Sequence, residues 1–191
     1  MLNKTFWKKV FKAQSDFDIS RRKIIGESSR SLHLAKQSIF ALHRSNAKDA
    51  KEKLADSKAG LISLDKRFGK DFRLRGEGSW KAAVEEYVEA KLFSDFIAGK
   101  KIGEIKDFNV EADEFIGGLS DLTGEIVRKM IYWVTKGEIK KAEAANEVIN
   151  EIVYDLMQNN LTGYLRNKLD QAKKGLQKSE SILYDIKIRK L

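Results

Sequence analysis

The sequence predicts an all-α protein, an antiparallel bundle of long helices, and three observations carry that prediction. Proline is absent from all 191 residues, so nothing in the chain forces a helix to break. Apolar residues recur at three- and four-residue steps from Ile24 to Ile186. Turn signals are confined to a few points: Asn46, the glycines between residues 69 and 79, Gly99, Gly137 and the pair Asn159-Asn160.

The first long segment places Ile24, Ser28, Ser31, Ala35, Ile39 and Leu42 on one stripe, widened by Leu32 and Ala41. After a turn near Asn46 and Lys48-Asp49, a second stripe runs through Ala50, Leu54, Ser57, Gly60, Leu61, Leu64 and Phe68. Two such seams on a short link predict an antiparallel pair. Residues 69–79, with Gly69, Gly76 and Gly78, read as a loop. A third helix is expected over about Ser79 to Ala98, with Ser79 as its N-cap. It is apolar on two sides, through Val84, Val88 and Leu92 and through Ala82, Ala90, Phe93 and Ile97, so it is expected between neighbours.

A short connection with a helical turn near Ile102–Ile105 should lead to a fourth helix over about Val110 to Thr135. Its core stripe is Phe115, Leu119, Leu122, Ile126, Met130 and Trp133. Gly117 and Gly118 would let a partner helix approach closely. Gly124 costs helix stability, which points to a packing role. A fifth helix over about Glu138 to Gln158 and a last one over about Leu161 to Ile188 complete the series. The whole is expected as a single domain, 1–191, with residues 1–20 a mobile or peripheral segment.

Cysteine is absent, which excludes disulfides, thiolate metal sites and a cysteine nucleophile and fits a cytoplasmic location. No apolar run is long enough to span a bilayer, so no membrane role is expected. The net charge of +9 is unevenly spread. Residues 81–160 carry ten Lys/Arg against sixteen Asp/Glu, whereas residues 1–36 carry nine against three. An acidic middle between basic flanks suits a polyanionic substrate near a divalent cation.

Within that acidic middle, Glu86 and Glu89 lie one helical turn apart, as do Asp121 and Glu125. Carboxylates in a packed interior are costly unless a cation meets them. Four converging from two helices could hold Mg²⁺ or Mn²⁺, which would polarise a phosphodiester. Arg128 would contact the phosphate or pair with a carboxylate. The competing reading is ordinary ion pairing on helix faces, involving Glu85, Lys81 and Arg128. A di-iron bundle is disfavoured because it wants Glu-x-x-His pairs. His33 and His43 both lie on the first helix and read as surface or interhelical residues. No P-loop, dinucleotide fingerprint or nucleophile elbow is present. Arg21, Arg22, Lys23 and Arg30, with Arg73, Arg75 and Lys81 around the glycine loop, are the candidates for nucleic-acid contact. Trp80 either stacks on a base or anchors the helix start in the core.

Three stretches carry a resemblance: Glu86-Tyr87-Val88-Glu89-Ala90, the run Phe115-Ile116-Gly117-Gly118-Leu119-Ser120-Asp121-Leu122-Thr123-Gly124-Glu125-Ile126-Val127-Arg128, and the ending Ser181-Ile182-Leu183-Tyr184-Asp185-Ile186-Lys187-Ile188-Arg189. With the order of helices, they make the chain resemble the translin family, and within it the translin-associated factor X branch, over roughly Arg21 to Arg189. The resemblance implies an all-α, antiparallel bundle of about seven helices and a metal-dependent endoribonuclease assembled as a closed octamer that encloses RNA. It implies ligands at Glu86, Glu89, Asp121 and, less centrally, Glu125. The translin branch proper lacks most of these carboxylates and serves mainly as the nucleic-acid-binding partner. Compactness suggests an archaeal, single-subunit form acting as a homo-oligomer. The translin branch carries a histidine- and arginine-rich segment before the third helix; here Arg73-Leu74-Arg75-Gly76-Glu77-Gly78-Ser79-Trp80-Lys81 has no histidine. A non-catalytic scaffold for RNA or single-stranded DNA is the alternative, with the carboxylates used for structural pairing.

Overall fold

The structure is a computed structural model that describes residues 2–189. Among them are seven helices and no strand: α1 (Lys4–His43), α2 (Ala47–Phe68), α3 (Phe72–Arg75), α4 (Gly78–Ile97), α5 (Ala112–Thr135), α6 (Ile139–Met157) and α7 (Gly163–Arg189). The single turn α3 lies where a plain loop is expected. Asp71 nucleates it by accepting from the amides of Arg73 and Leu74.

Each long helix begins or ends for a local reason. Asn3 caps α1 by accepting from the Phe6 amide at 3.0 Å, and Asn46 caps α2 through the Asp49 amide. Glu111 and Glu114 form a reciprocal capping box at the start of α5. Ser79 does not cap α4. That helix starts one residue earlier, and the Ser79 hydroxyl is buried without a partner. Trp80 is buried in the core, so it anchors the helix start and offers no stacking face.

α1 packs on α2 and α4, α4 on α5, and α5 on α6 and α7. The hairpins α1–α2 and α5–α6 are antiparallel, as short links require. α4, however, runs alongside α1 in the same direction: Arg21 meets Glu77, Lys36 meets Glu86, and the His43 ring lies on Phe93. α5 runs parallel to α4 as well, with Gly117 against Glu85 and Trp133 against Phe96. Parallel neighbours need a return path, and residues 98–111 provide it without any helical turn. Fourteen extended residues reach about 45 Å, enough to retrace a 20-residue helix of about 30 Å. Phe108 pins this segment against Tyr87.

Residues 2–20 are neither loose coil nor a docked helix. They belong mostly to α1, whose first buried residue is Ile24, so its opening turns project from the bundle. No described helix is long and apolar enough to cross a membrane.

Gly124 has no packing role in the chain, because a Cβ there would meet nothing within 4 Å. Gly124→Ala should therefore stabilise the protein by about 0.5–1 kcal/mol, by removing backbone freedom from an exposed helix position. Thermal unfolding of the two proteins side by side measures this, and a destabilised variant would show that the position has a contact outside the chain.

Candidate functional site

The close approach of α4 and α5 builds the site. A Cβ on Gly117 would fall 2.1 Å from Glu85 Oε2, and one on Gly118 would fall 2.7 Å from the Glu85 carbonyl and from Val88 Cβ. At Gly118, where the clash would be with backbone, only glycine lets these helices touch, whereas at Gly117 a larger residue would displace the Glu85 side chain. One turn further along, Glu86 and Glu89 of α4 share an electrostatic neighbourhood with Asp121 and Glu125 of α5. Each sequence-predicted carboxylate lies in this centre.

Glu89 is its hub. It is buried, and among the described residues no side chain pairs with it. Burial, reinforced by the charges of Glu86, Asp121 and Glu125, pushes its carboxyl up to about 9. Burial also raises Glu86, outweighing Lys36, whose Nζ is 3.6 Å away. Asp121 is raised by burial too, against the opposing pull of Lys168.

Basic side chains from α1, α7 and α5 itself meet the remaining carboxylates. Lys168 of α7 bridges Asp121 and Glu85, the latter at 2.8 Å. The Tyr164 hydroxyl donates to Glu85 at 2.6 Å. His43, at the end of α1, is hydrogen-bonded through Nε2 to Glu125, and Arg128 stands 3.7 Å from the same carboxylate. None of Lys36, His43, Tyr164 and Lys168 is flagged by local sequence as part of the site. They lie 47 to 83 residues from their partners, and only the crossing of α1 and α7 over the α4–α5 seam brings them there.

Among the described residues, no three His, Asp or Glu side chains are gathered closely enough to ligate one ion. Lys36, Lys168 and His43 hold Glu86, Asp121 and Glu125 in separate pairs. In kind, the donor set still fits a hard divalent cation. Its ligands are carboxylate oxygens, and its buried member, Glu89, has no ion-pair partner of its own among the described residues, only the more distant charge of Lys168 opposing its rise.

The basic residues picked out from sequence divide into two groups. Arg75 is not available to nucleic acid. It is buried, its guanidinium clamps Glu114 at 2.7 and 2.6 Å, and it lies over the Trp80 ring. Arg21 pairs with Glu77 at 2.7 Å, Lys81 reaches Glu111 and Asp113, and Arg73 stacks on Phe17. Arg22 and Arg30 are exposed and, among the described residues, unpaired. Arg128 is half-exposed beside the acidic centre.

Fold and site together define an all-helical bundle with an acidic centre at a glycine-paired helix seam. A family model described as the Translin family matches residues 8–190, and the chain belongs to that family. Human Translin is 24% identical over 155 residues, spanning 73% of this chain and 68% of the relative. Rat Translin-associated protein X is 24% identical over 197 residues, spanning 81% and 68%. Among solved structures, apo-NeC3PO superposes with a TM-score of 0.86 at 22% identity, covering 96% of this chain and 97% of its own. The AfC3PO–duplex RNA complex gives 0.84 at 22% identity with the same coverage. These likenesses establish the shared fold.

Proposed function

We propose that this protein is a metal-dependent endoribonuclease of the translin-associated factor X type, cleaving short RNA within a homo-oligomer. The octamer, the cytoplasmic location and an archaeal, single-subunit origin belong to the same reading. The observation that carries it is Glu89, a buried carboxyl with no ion-pair partner of its own among the described residues, in the shared field of Glu86, Asp121 and Glu125. A structural ion-pair network would have supplied it with a cation; a site for an exogenous cation would leave it free.

Glu86, Glu89 and Asp121 would hold Mg²⁺ or Mn²⁺, and Glu125 would assist as ligand or base. The bound ion would supply charge stabilisation at the phosphodiester. Lys168 would release Asp121 as the ion enters and retain Glu85. His43, bonded to Glu125, would orient that carboxylate. Lys36 and Arg128, both more than half exposed and each beside one of the acids, would bind backbone phosphates. Arg22, Lys36 and His43 stand fourteen and then seven residues apart along α1, so a strand tracking that stripe would arrive at the acidic centre.

The AfC3PO structure that shares this fold is a complex with duplex RNA, which supports RNA as the ligand. The second reading is the non-catalytic scaffold for RNA or single-stranded DNA. It draws on the pairing of Glu86, Asp121 and Glu125 with Lys36, Lys168 and His43 in the chain itself.

Incubation of the purified protein with short RNA in Mg²⁺, in Mn²⁺ and in excess chelator separates the two readings. Products that appear with either ion and vanish with chelator are expected; products that persist in chelator would end the metal-dependent reading, and retention without products would favour the scaffold. Arg22→Ala with Arg30→Ala should weaken RNA retention and shallow its salt slope by about one per residue removed. Filter binding at a series of salt concentrations measures that slope.

A further inference from the structure

We infer that the projecting start of α1 is an assembly arm that seats in an apolar groove of a second copy of this chain. This rests on the self-association in the reading above, and it specifies the surfaces involved.

The arm is long and uncovered. Beyond Phe17, which packs against Arg73, the residues from Lys4 onward extend about 20 Å past the bundle. Phe6, Trp7, Val10 and Phe11 fall on one face of it and are 47–62% exposed. An isolated helix this short is marginal in water, and four large apolar side chains on one stripe want a partner. Lys4, Lys8 and Lys12 follow a four-residue step along one flank of that stripe.

The groove is at the other end of the molecule. A cavity of about 780 Å³ opens between the end of α4, α5, α6 and the return segment. Phe96, Ile97, Leu119, Trp133, Ala144 and Val148 make its apolar wall. Glu151 and Asp155 stand on its α6 rim, and with Glu143 and Glu147 they form an exposed acidic row at four-residue steps. The step matches that of the arm lysines, so an arm laid along α6 would meet acid with base while its aromatic stripe fills the groove. Lys100 and Lys101 on the return segment fix which flank of the arm faces which rim.

Arm and groove of one copy cannot meet. α1 and α4 run parallel, and the arm continues α1 away from the bundle beyond the level of Arg21 and Glu77, whereas the groove lies along α5 and α6 and at the end of α4, so a straight α1 carries the arm away from it. The contact is therefore head-to-tail between copies. Such a contact is heterologous and generates a ring where its rotation closes.

The absence of cysteine makes the test direct. Val10→Cys and Ala144→Cys are prepared as separate full-length proteins, checked for helix content, mixed and oxidised. A disulfide-linked dimer containing one copy of each is expected, with little product from either alone. Phe6→Asp with Phe11→Asp should lower the light-scattering mass by about twofold or more, as loss of a heterologous contact opens the assembly. A Val10→Cys protein that links to itself as well as to the mixture would replace this arrangement with an arm–arm contact. Binding of the arm to anionic phosphatidylserine vesicles, with no cross-link, would make it a membrane element instead. An assembled protein that gives no mixed disulfide sinks this inference alone, whereas a wild-type chain that is monomeric at micromolar concentration sinks the self-association reading with it.

Discussion

Glu89→Ala should abolish metal-dependent RNA cleavage while leaving RNA retention unchanged. Loss of one ligand from a four-carboxylate site removes several kcal/mol of transition-state stabilisation, about a 10³-fold fall in rate. RNA retention depends on exposed cations such as Arg22 and Arg30, which Glu89 does not touch. Glu89→Gln sharpens the test because it keeps shape and removes charge. Stability provides a second readout. In the metal-free protein the Glu89 carboxyl is raised from 4.5 to about 9. Between those values the folded state keeps a proton that the unfolded state has lost, so stability falls as pH rises through that window. Glu89→Gln should flatten the fall and make the metal-free protein more stable at neutral pH. Mn²⁺ should raise the melting temperature of the wild type and leave that of the variant where it was, as expected when the ion binds only the folded site. A variant that still cuts RNA, or that still responds to Mn²⁺, would remove Glu89 from the centre.

The two acidic pairs were legible because their signal is local. Glu86 with Glu89, and Asp121 with Glu125, are each one turn apart on helices whose apolar positions mark them as packed. Gly117 and Gly118 announced the close seam for the same reason: a missing side chain in a helix interior has few uses besides close approach. Gly124 shows where that argument fails, since the same residue type sits at an exposed position with nothing near it. The residues that complete the centre gave no local sign. His43, Lys36 and Lys168 look like any cation on an amphipathic helix until α1 and α7 are laid across the seam. The direction of α4 was hidden as well. Residues 98–111 read as a short link, yet they retrace the length of a helix, and nothing in their composition records how far apart their ends must be.

Arg75 shows how a local reading can invert a residue's role, and it leads to the largest stability effect expected in this chain. Between Gly69 and Gly78, an arginine beside exposed Arg73 reads as a surface cation. In the fold it is 4% exposed and bonded twice to Glu114, which is 2% exposed, and Glu114 in turn accepts from the Glu111 amide at 2.9 Å. One ion pair thus ties α3 to the capping box that starts α5, and so fixes where the return segment ends. Arg75→Met would leave the Glu114 carboxylate buried and uncompensated, at a cost of about 3–5 kcal/mol. At this chain length that is a fall in melting temperature of about 10 °C. Glu114→Gln should cost less, because a neutral amide remains for the guanidinium and the Glu111 amide to bond. Arg75→Met with Glu114→Leu should recover most of the loss, since a buried pair replaced as a unit by apolar side chains is often close to neutral. Differential scanning calorimetry of the wild type, Arg75→Met, Glu114→Leu and the double variant completes the cycle. A double variant destabilised by the sum of the two single costs would mean that the pair contributes nothing as a pair. Weakened RNA retention in Arg75→Met, at temperatures where it remains folded, would return Arg75 to the nucleic-acid surface.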